Sequence, residues 1–181
     1  MACSTTITGR ALPCKDSLGG IKKIWVVSSV GGDATVSFVE GNLSTVSSGA
    51  VANSTSATIL KSYEMHKNVG SFTQTLNVSP ENGTIFYTQV VSCQFSKEVA
   101  ADIGGFQDMI KGRLAIVVQD VNDNYFVVGH TRGCEVTAGS VESGTALGDF
   151  NGLKYEFTAH EAIAAPFLTI GGGNLTFTAT T

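Results

Sequence analysis

The groups best able to do chemistry in this chain are four cysteines, three histidines and one oxygen-rich pentapeptide. Cys3, Cys14, Cys93 and Cys134 are widely spaced and form no C-x-x-C pair, so neither a zinc knuckle nor a dithiol redox motif is written in the chain. A thiol becomes a nucleophile only when a neighbouring base or cation draws off its proton. Cys93 sits inside an apolar stretch, which predicts a buried, inert thiol. His66, His130 and His160 are isolated, each at or near a strand end, and catalysis would require one of them to meet a Cys or Asp in a cleft. Asp120-Val121-Asn122-Asp123-Asn124 carries oxygens at alternating positions, as a calcium loop begins. The glycine required next is Tyr125 and the closing glutamate is Thr131, so the segment is expected to be a hairpin turn. His160-Glu161 starts like a zinc-protease helix, but Ala164 stands where the second histidine belongs. Nucleophile-elbow, Walker and dinucleotide-binding motifs are absent, and Gly171 to Gly173 has no following helix to bind phosphate. The expectation is a protein without metal or cofactor, and not an enzyme.

Composition agrees with that expectation. Apolar residues make up 43% of the 181 residues and charged residues 14%, against about a quarter in an average domain. Ser, Thr, Asn and Gly replace the missing charge, which suits a subunit covered on several sides as well as an ordinary β protein. The net charge is −4, and Lys22-Lys23 is the lone basic cluster. Proteins that grip nucleic acid need a basic stripe, because released counterions drive that binding. DNA is therefore expected to meet a neutral or repulsive surface. The start of the chain lacks a basic and then apolar leader, and no apolar run approaches the roughly 18 residues of a membrane span. Cytoplasmic synthesis with reduced thiols is the expectation.

The elements that would position any site are mostly strands. Residues 1–20 are expected to be an N-terminal arm and residues 21–181 a single β-rich domain. Strands are predicted at Ile21–Ser29, Ala34–Glu40, Thr58–His66, Phe72–Val78, Thr84–Phe95, Arg113–Asp120, Tyr125–Thr131, Cys134–Ala138, Leu153–His160 and Asn174–Thr180. Asn82-Gly83 turns the fourth of these into the fifth. Ala164 to Leu168 breaks the alternating pattern. One helix is expected from Ser96 to Lys111, capped by the Ser96 hydroxyl, with Val99, Ile103, Phe106 and Ile110 as its apolar stripe and Gly112 as the left-handed residue beyond its end. Gly104-Gly105 costs roughly 1 kcal/mol per glycine, so packing must hold this helix or another backbone must approach it. Gly41 to Ser56 is small, polar and uncharged, and is expected to be a flexible loop. The fold class is mainly β: an antiparallel β-sandwich or partly open barrel with one α-helix.

The strands Phe72–Val78 and Thr84–Phe95 are expected to carry apolar residues on one face and Thr or Gln on the other. Sheets joined edge to edge between copies would turn those polar faces toward a wet channel and leave no open edge. A monomeric sandwich with a solvated outer face fits the same pattern.

Cys134 to Phe167 (CEVTAGSVESGTALGDFNGLKYEFTAHEAIAAPF) resembles a segment of structural proteins of tailed bacteriophages. In those proteins a turn of the form S-G-T-A-L-G-D-x-N-G precedes an amphipathic strand and then Ala-Pro-Phe. The order of elements, with a long loop after the second strand and one central helix, is similar to the tail-tube fold. The resemblance implies a virion tail protein, assembled in the host cytoplasm with other virion proteins. Copies would form homohexameric rings that stack into a conduit, and DNA would pass through the lumen without specific binding. It implies ring-to-ring contacts from the Gly41 to Ser56 loop, at Asn42, Leu43, Val46, Val51 and Asn53. Contacts between subunits or with the lumen would come from Phe72, Gln74, Phe86 and Gln89. The N-terminal arm, with Cys3 and Cys14, matches no tube pattern. A neck or tail-hub ring on the same fold is one alternative. Another is a receptor- or carbohydrate-binding β-sandwich module, although the single tryptophan, Trp25, lies in a strand instead of a loop.

Overall fold

A computed structural model describes residues 15–30, 45–47 and 61–169. In chain order the elements are β1 (Ile21–Val30), β2 (Thr45–Ser47), β3 (Lys61–Glu64), β4 (Ser71–Ser79), β5 (Thr84–Ser96), α1 (Ala100–Ile110), β6 (Arg113–Asp120), β7 (Tyr125–Val128), β8 (Cys134–Glu142), β9 (Gly152–Glu161) and β10 (Phe167–Thr169). Among the described residues the protein is mainly β with one helix, its sheet curled into a half-barrel, as a partly open barrel requires. The strand order is β2-β10-β7-β6-β8-β9-β5-β4, and β1 lies on β6 and carries β3 beyond it. Pairing is antiparallel except between β10 and β2. The expected strand at Ala34–Glu40, the one at Asn174–Thr180 and most of the N-terminal arm fall outside the described residues.

The apolar run of β6 explains its central place. Leu114, Ile116 and Val118 enter the main core beside Ile24 and Val26. On the opposite face Trp25, Val117 and Val127 stand in register and are buried as well. A strand buried on both faces reads as a continuous hydrophobic stretch instead of an alternating one. β6 meets β8 through a single pair, Leu114 with Cys134, where the Cys134 thiol donates to the Leu114 carbonyl at 3.1 Å. The remaining strands, β8-β9-β5-β4, form a second panel with long, regular registers.

The helix closes one side of the core and is shorter than the sequence predicts. Ser96 ends β5 by pairing with Gly152, and Lys97 turns the chain with a left-handed φ of 71°. The helix therefore begins at Ala100, with Val99 as a cap that supplies no side-chain hydrogen bond. Val99 and Ile110 are exposed, and Phe106 and Met109 are the buried members of the helix, with Ile103 packed beside them. Phe106 stacks on Tyr155 with ring centroids 4.1 Å apart and touches Phe95 and Tyr63 at 5.5 Å. Burying a side chain of this size is worth roughly 1.5–3 kcal/mol, which offsets the cost of Gly104 and Gly105. No backbone crowds those glycines: open space surrounds Gly104, and only the Tyr63 hydroxyl comes near Gly105. Gly112 is not left-handed, because Lys111 ends the helix in ordinary helical geometry.

Other boundaries move for local reasons. β8 runs on to Glu142 because a bulge at Thr137 keeps it in register with β9 past the point where alternation fails. β7 stops at Val128, where Gly129 takes a φ of +69° and the chain folds back on Cys134. Phe167–Thr169, placed after an expected pattern break, joins the sheet as β10. Thr45–Ser47, inside the segment expected to be a flexible loop, is a strand parallel to β10. The Asp120–Asn124 segment is the hairpin turn between β6 and β7. The Asp120 carboxylate accepts from the Asn124 backbone at 2.7 Å and from its side chain at 3.0 Å. Asn122 in the same turn fastens Leu18 at both backbone groups, at 2.8 and 2.7 Å.

A partly buried polar latch ties the loops to the second panel. Glu161, at the end of β9, accepts from the backbone amides of Thr131 and Arg132 at 2.9 and 2.7 Å. Gln89 accepts from Gly129 and donates to the Ile163 carbonyl, both at 3.3 Å. Gln74 accepts from Ala165 at 2.8 Å. Glu161 and Gln89 are themselves buried, so these bonds satisfy their own polar atoms as well as the backbone groups they hold.

Candidate functional site: the polar face of the second panel

Alternation on four strands builds this face. In β5, Gln89, Val91 and Cys93 point into the core, so Thr88, Val90, Ser92 and Gln94 point away. In β9, Leu153, Tyr155, Phe157 and Ala159 point inward, so Lys154, Glu156, Thr158 and His160 point away. The registers align these residues in rows: Thr75 with Thr88 and His160, and Thr73 with Val90, Thr158 and Glu135. Hydroxyls join neighbouring strands. Asn77 donates to Thr88 at 2.9 Å, Thr88 lies 3.3 Å from His160 Nδ1, and the Thr137 and Thr158 hydroxyls are 2.9 Å apart.

The charged members are mostly acidic. Glu135, Glu142 and Glu156 face one ammonium, Lys154, among the strand residues of this face. Lys154 donates to both Glu142 oxygens at 2.9 and 2.7 Å and lies 4.9 Å over the Phe150 ring. The Lys154 hydrogen bond, helped by Ser140, holds the Glu142 carboxyl below its ordinary value. The pair is solvated, so it fixes geometry more than it stabilises the fold. Past the bulge, Gly139 lies so close to Tyr155 that a Cβ would sit 2.8 Å from the ring. The strand dips there and leaves a shallow groove of about 340 Å³ between Ser92, Gln94, Ser140, Lys154 and Glu156. Glu135 is paired in turn with Arg113 at 3.6 Å, so the face is made mostly of short hydroxyls, amides and ion-paired carboxylates.

No protein-family model, no curated protein and no solved structure matches the chain. Geometry is therefore the ground for any reading of this face.

The expected contact residues divide between the two faces. Phe86 is exposed on the polar face, its ring 5.9 Å edge-on from His160. Phe72, Gln74 and Gln89 lie on the opposite face, in contrast to the expected separation of Gln from the apolar residues. Phe72 stacks on Phe126 at 5.6 Å and packs against the core. Gln89 is buried and, like Gln74, holds backbone of its own chain. Period two puts these glutamines beside Phe72, and the latch is why polar residues are tolerated there. Val46 belongs to β2, whereas Asn42, Leu43, Val51 and Asn53 lie outside the described residues.

Cys93 and Cys134 share the buried core cluster, whereas the histidines lie apart from them; Cys3 and Cys14 lie outside the described residues. Cys93 and Cys134 are both buried, and burial pushes each thiol up to about 12. His66 borders a second cavity of about 410 Å³, formed by Tyr63, Met65, Phe95, Asp102 and Phe106 between β3 and α1. Burial, then the nearby Asp102 charge, raises the Tyr63 phenol. His130 lies in the turn between β7 and β8, 3.1 Å from the Thr131 hydroxyl. Among the described residues no three His, Cys, Asp or Glu side chains gather as a metal site.

The buried thiols carry a direct prediction. At pH 8, Cys93 and Cys134 should react with a thiol reagent on the order of a thousandfold more slowly in the folded protein than in urea, because so little thiolate is present. Mass spectrometry of peptides after timed alkylation measures this. Equal rates at either residue in both conditions would contradict its burial.

Sequence reasoning missed Glu161 as a structural acceptor and Asp149 as the organiser of the β8–β9 loop. Glu161 had a weak signal: it continues the inward-pointing positions of β9, where a carboxyl needs donors.

Proposed function

We propose that this chain is a structural subunit that acts by self-assembly, of the tail-tube type. Copies join their second panels edge to edge into a ring whose wall presents the hydroxyl-rich, acidic face to a channel that conducts DNA. The observation that carries this reading is the edge of β4. Among the described residues β4 pairs only with β5 and ends the sheet. Its nine residues, SFTQTLNVS, contain no charge and no proline. Soluble monomers blunt such edges with lysine, proline or bulges, because an unprotected edge recruits another strand. A half-barrel whose last strand is unguarded among the described residues can be completed by a neighbour's strand. The cations of the polar face, Lys154 and Arg113, are each held by a carboxylate, Glu142 and Glu135, which suits a passage for phosphate that must not stick. The resemblance of Cys134 to Phe167 to phage structural proteins supports the same reading.

The test is assembly of the purified chain, observed by sedimentation velocity and negative-stain electron microscopy. The wild type should form rings or tubes. The double variant Thr73→Lys, Thr75→Lys places charge on two exposed positions of the free edge. It should keep the wild-type circular dichroism and melting temperature while association weakens at least about tenfold. A wild type that stays single at every concentration, or a variant that assembles equally well, would overturn the reading.

A further inference from the structure

The cavity of about 410 Å³ between β3 and α1 has the make-up of a small-molecule site. Such sites are concave and largely apolar, with a few directed polar groups. The apolar wall is built by Tyr63, Phe95 and Phe106, whose ring centroids lie 5.6, 5.5 and 5.5 Å apart in the three pairs. The Met65 thioether belongs to the same lining. Tyr63 and Phe95 are half-buried, so each keeps part of its ring toward the open space. Asp102, in the first turn of α1, is half-buried at the helix side, and Glu64 and His66 stand at the exposed rim. Among the described residues no lysine or arginine lines the cavity. Lys23 stands across the ladder from Glu64 and is held by that carboxylate at 3.0 Å.

The sequence of α1 leaves this space open. Asp102, Gly105 and Phe106 are three and four residues apart and share one helix face. Gly105 costs roughly 1 kcal/mol inside a helix, and the atom nearest to a Cβ placed there is the Tyr63 hydroxyl, at 3.9 Å. A longer side chain would enter the space in front of that hydroxyl. Neither the Tyr63 hydroxyl nor the Asp102 carboxylate has a hydrogen-bond partner among the described residues. The two groups nevertheless feel each other, since the Asp102 charge adds to burial in raising the Tyr63 phenol. A field that disfavours a phenolate favours a cation in the same place.

We propose that this cavity binds a small primary amine with an aromatic or branched apolar body. The ammonium donates to the Asp102 carboxylate and to the Tyr63 oxygen, and the body lies against Phe95 and Met65. Ring faces attract a cation within about 6 Å, so Tyr63 serves the ammonium with its ring as well as its oxygen. An anion would meet the Asp102 and Glu64 carboxylates and no lining cation. A neutral ligand of the same shape would cover Asp102 and leave its charge without a partner. The site uses neither the β4 edge nor the polar face, so it stands apart from the self-assembly reading.

The experiment uses the full chain with 2-phenylethylammonium as the probe, followed by a ligand-observed NMR titration at about pH 8, where the amine keeps its proton. The wild type should bind it with a Kd of about 1 mM or tighter. 2-Phenylethanol, which carries a hydroxyl in place of the ammonium, should bind the wild type at least about tenfold more weakly. Asp102→Asn should keep the wild-type circular dichroism, lose at least about tenfold in affinity for the amine and leave the alcohol unaffected. Tyr63→Phe keeps the ring and removes the oxygen, and should weaken the amine by about threefold. Equal affinity of the wild type for amine and alcohol would overturn the proposal. So would an amine affinity unchanged in Asp102→Asn, because the probe would then sit elsewhere, or a wild type that binds no amine in the millimolar range.

Discussion

Replacing Phe106 with alanine should remove about 3–5 kcal/mol of stability, the range for deleting a fully buried aromatic side chain. Phe106 is almost wholly buried, stacked on Tyr155 and bordered by Phe95 and Tyr63. For a chain of this size the melting temperature should fall on the order of 10 °C. Ile110→Ala on the same helix is the control, because Ile110 is exposed and its loss should cost no more than about 0.5 kcal/mol. Urea unfolding followed by circular dichroism measures both. Equal losses in the two variants would mean that the helix presents a different side to the sheet.

Replacing Glu161 with leucine should cost about 1.5–3 kcal/mol, since two hydrogen bonds to a charged acceptor are lost while water can still reach the exposed Thr131–Arg132 turn. Glu161→Gln keeps an oxygen able to accept and should lose markedly less. Hydrogen exchange separates the effects. The amides of residues 131 and 132 should be protected in the wild type, partly protected in the glutamine variant and unprotected in the leucine variant. If leucine and glutamine behave alike, the carboxyl oxygen is not what holds this turn.

Much of the architecture was legible in the chain because it depends on local periodicity. The alternation of Phe72 to Val78 and of Leu153 to His160, and the Asn82-Gly83 turn, predict β4, β9 and the β4–β5 hairpin. The helix start was misplaced because Ser96 is a good cap by type, whereas its backbone is claimed by the ladder with Gly152, a contact 56 residues away. β8 was cut short because a bulge disrupts alternation while preserving pairing. The face assignment of Gln74 and Gln89 failed for a similar reason. Polar type suggested the solvent side, but partners brought in by the loops at Gly129, Ile163 and Ala165 make the inner side acceptable. The polar face itself was foreseeable strand by strand. Its registers, which put Thr75, Thr88 and His160 in one row, come from pairings that no single segment encodes.

The lone pairing of Leu114 with Cys134 gives the wall a crease. A seam with many rungs would fix the angle between its two halves by its own hydrogen bonds, and a seam with one cannot. That angle is set instead by what is wedged behind it, where Phe106, Met109 and Phe157 share one packed cluster with Leu114 and Cys134. The bulk of those side chains therefore gauges how sharply the wall bends, and any cylinder made from repeated walls inherits its diameter from the thickness of that wedge.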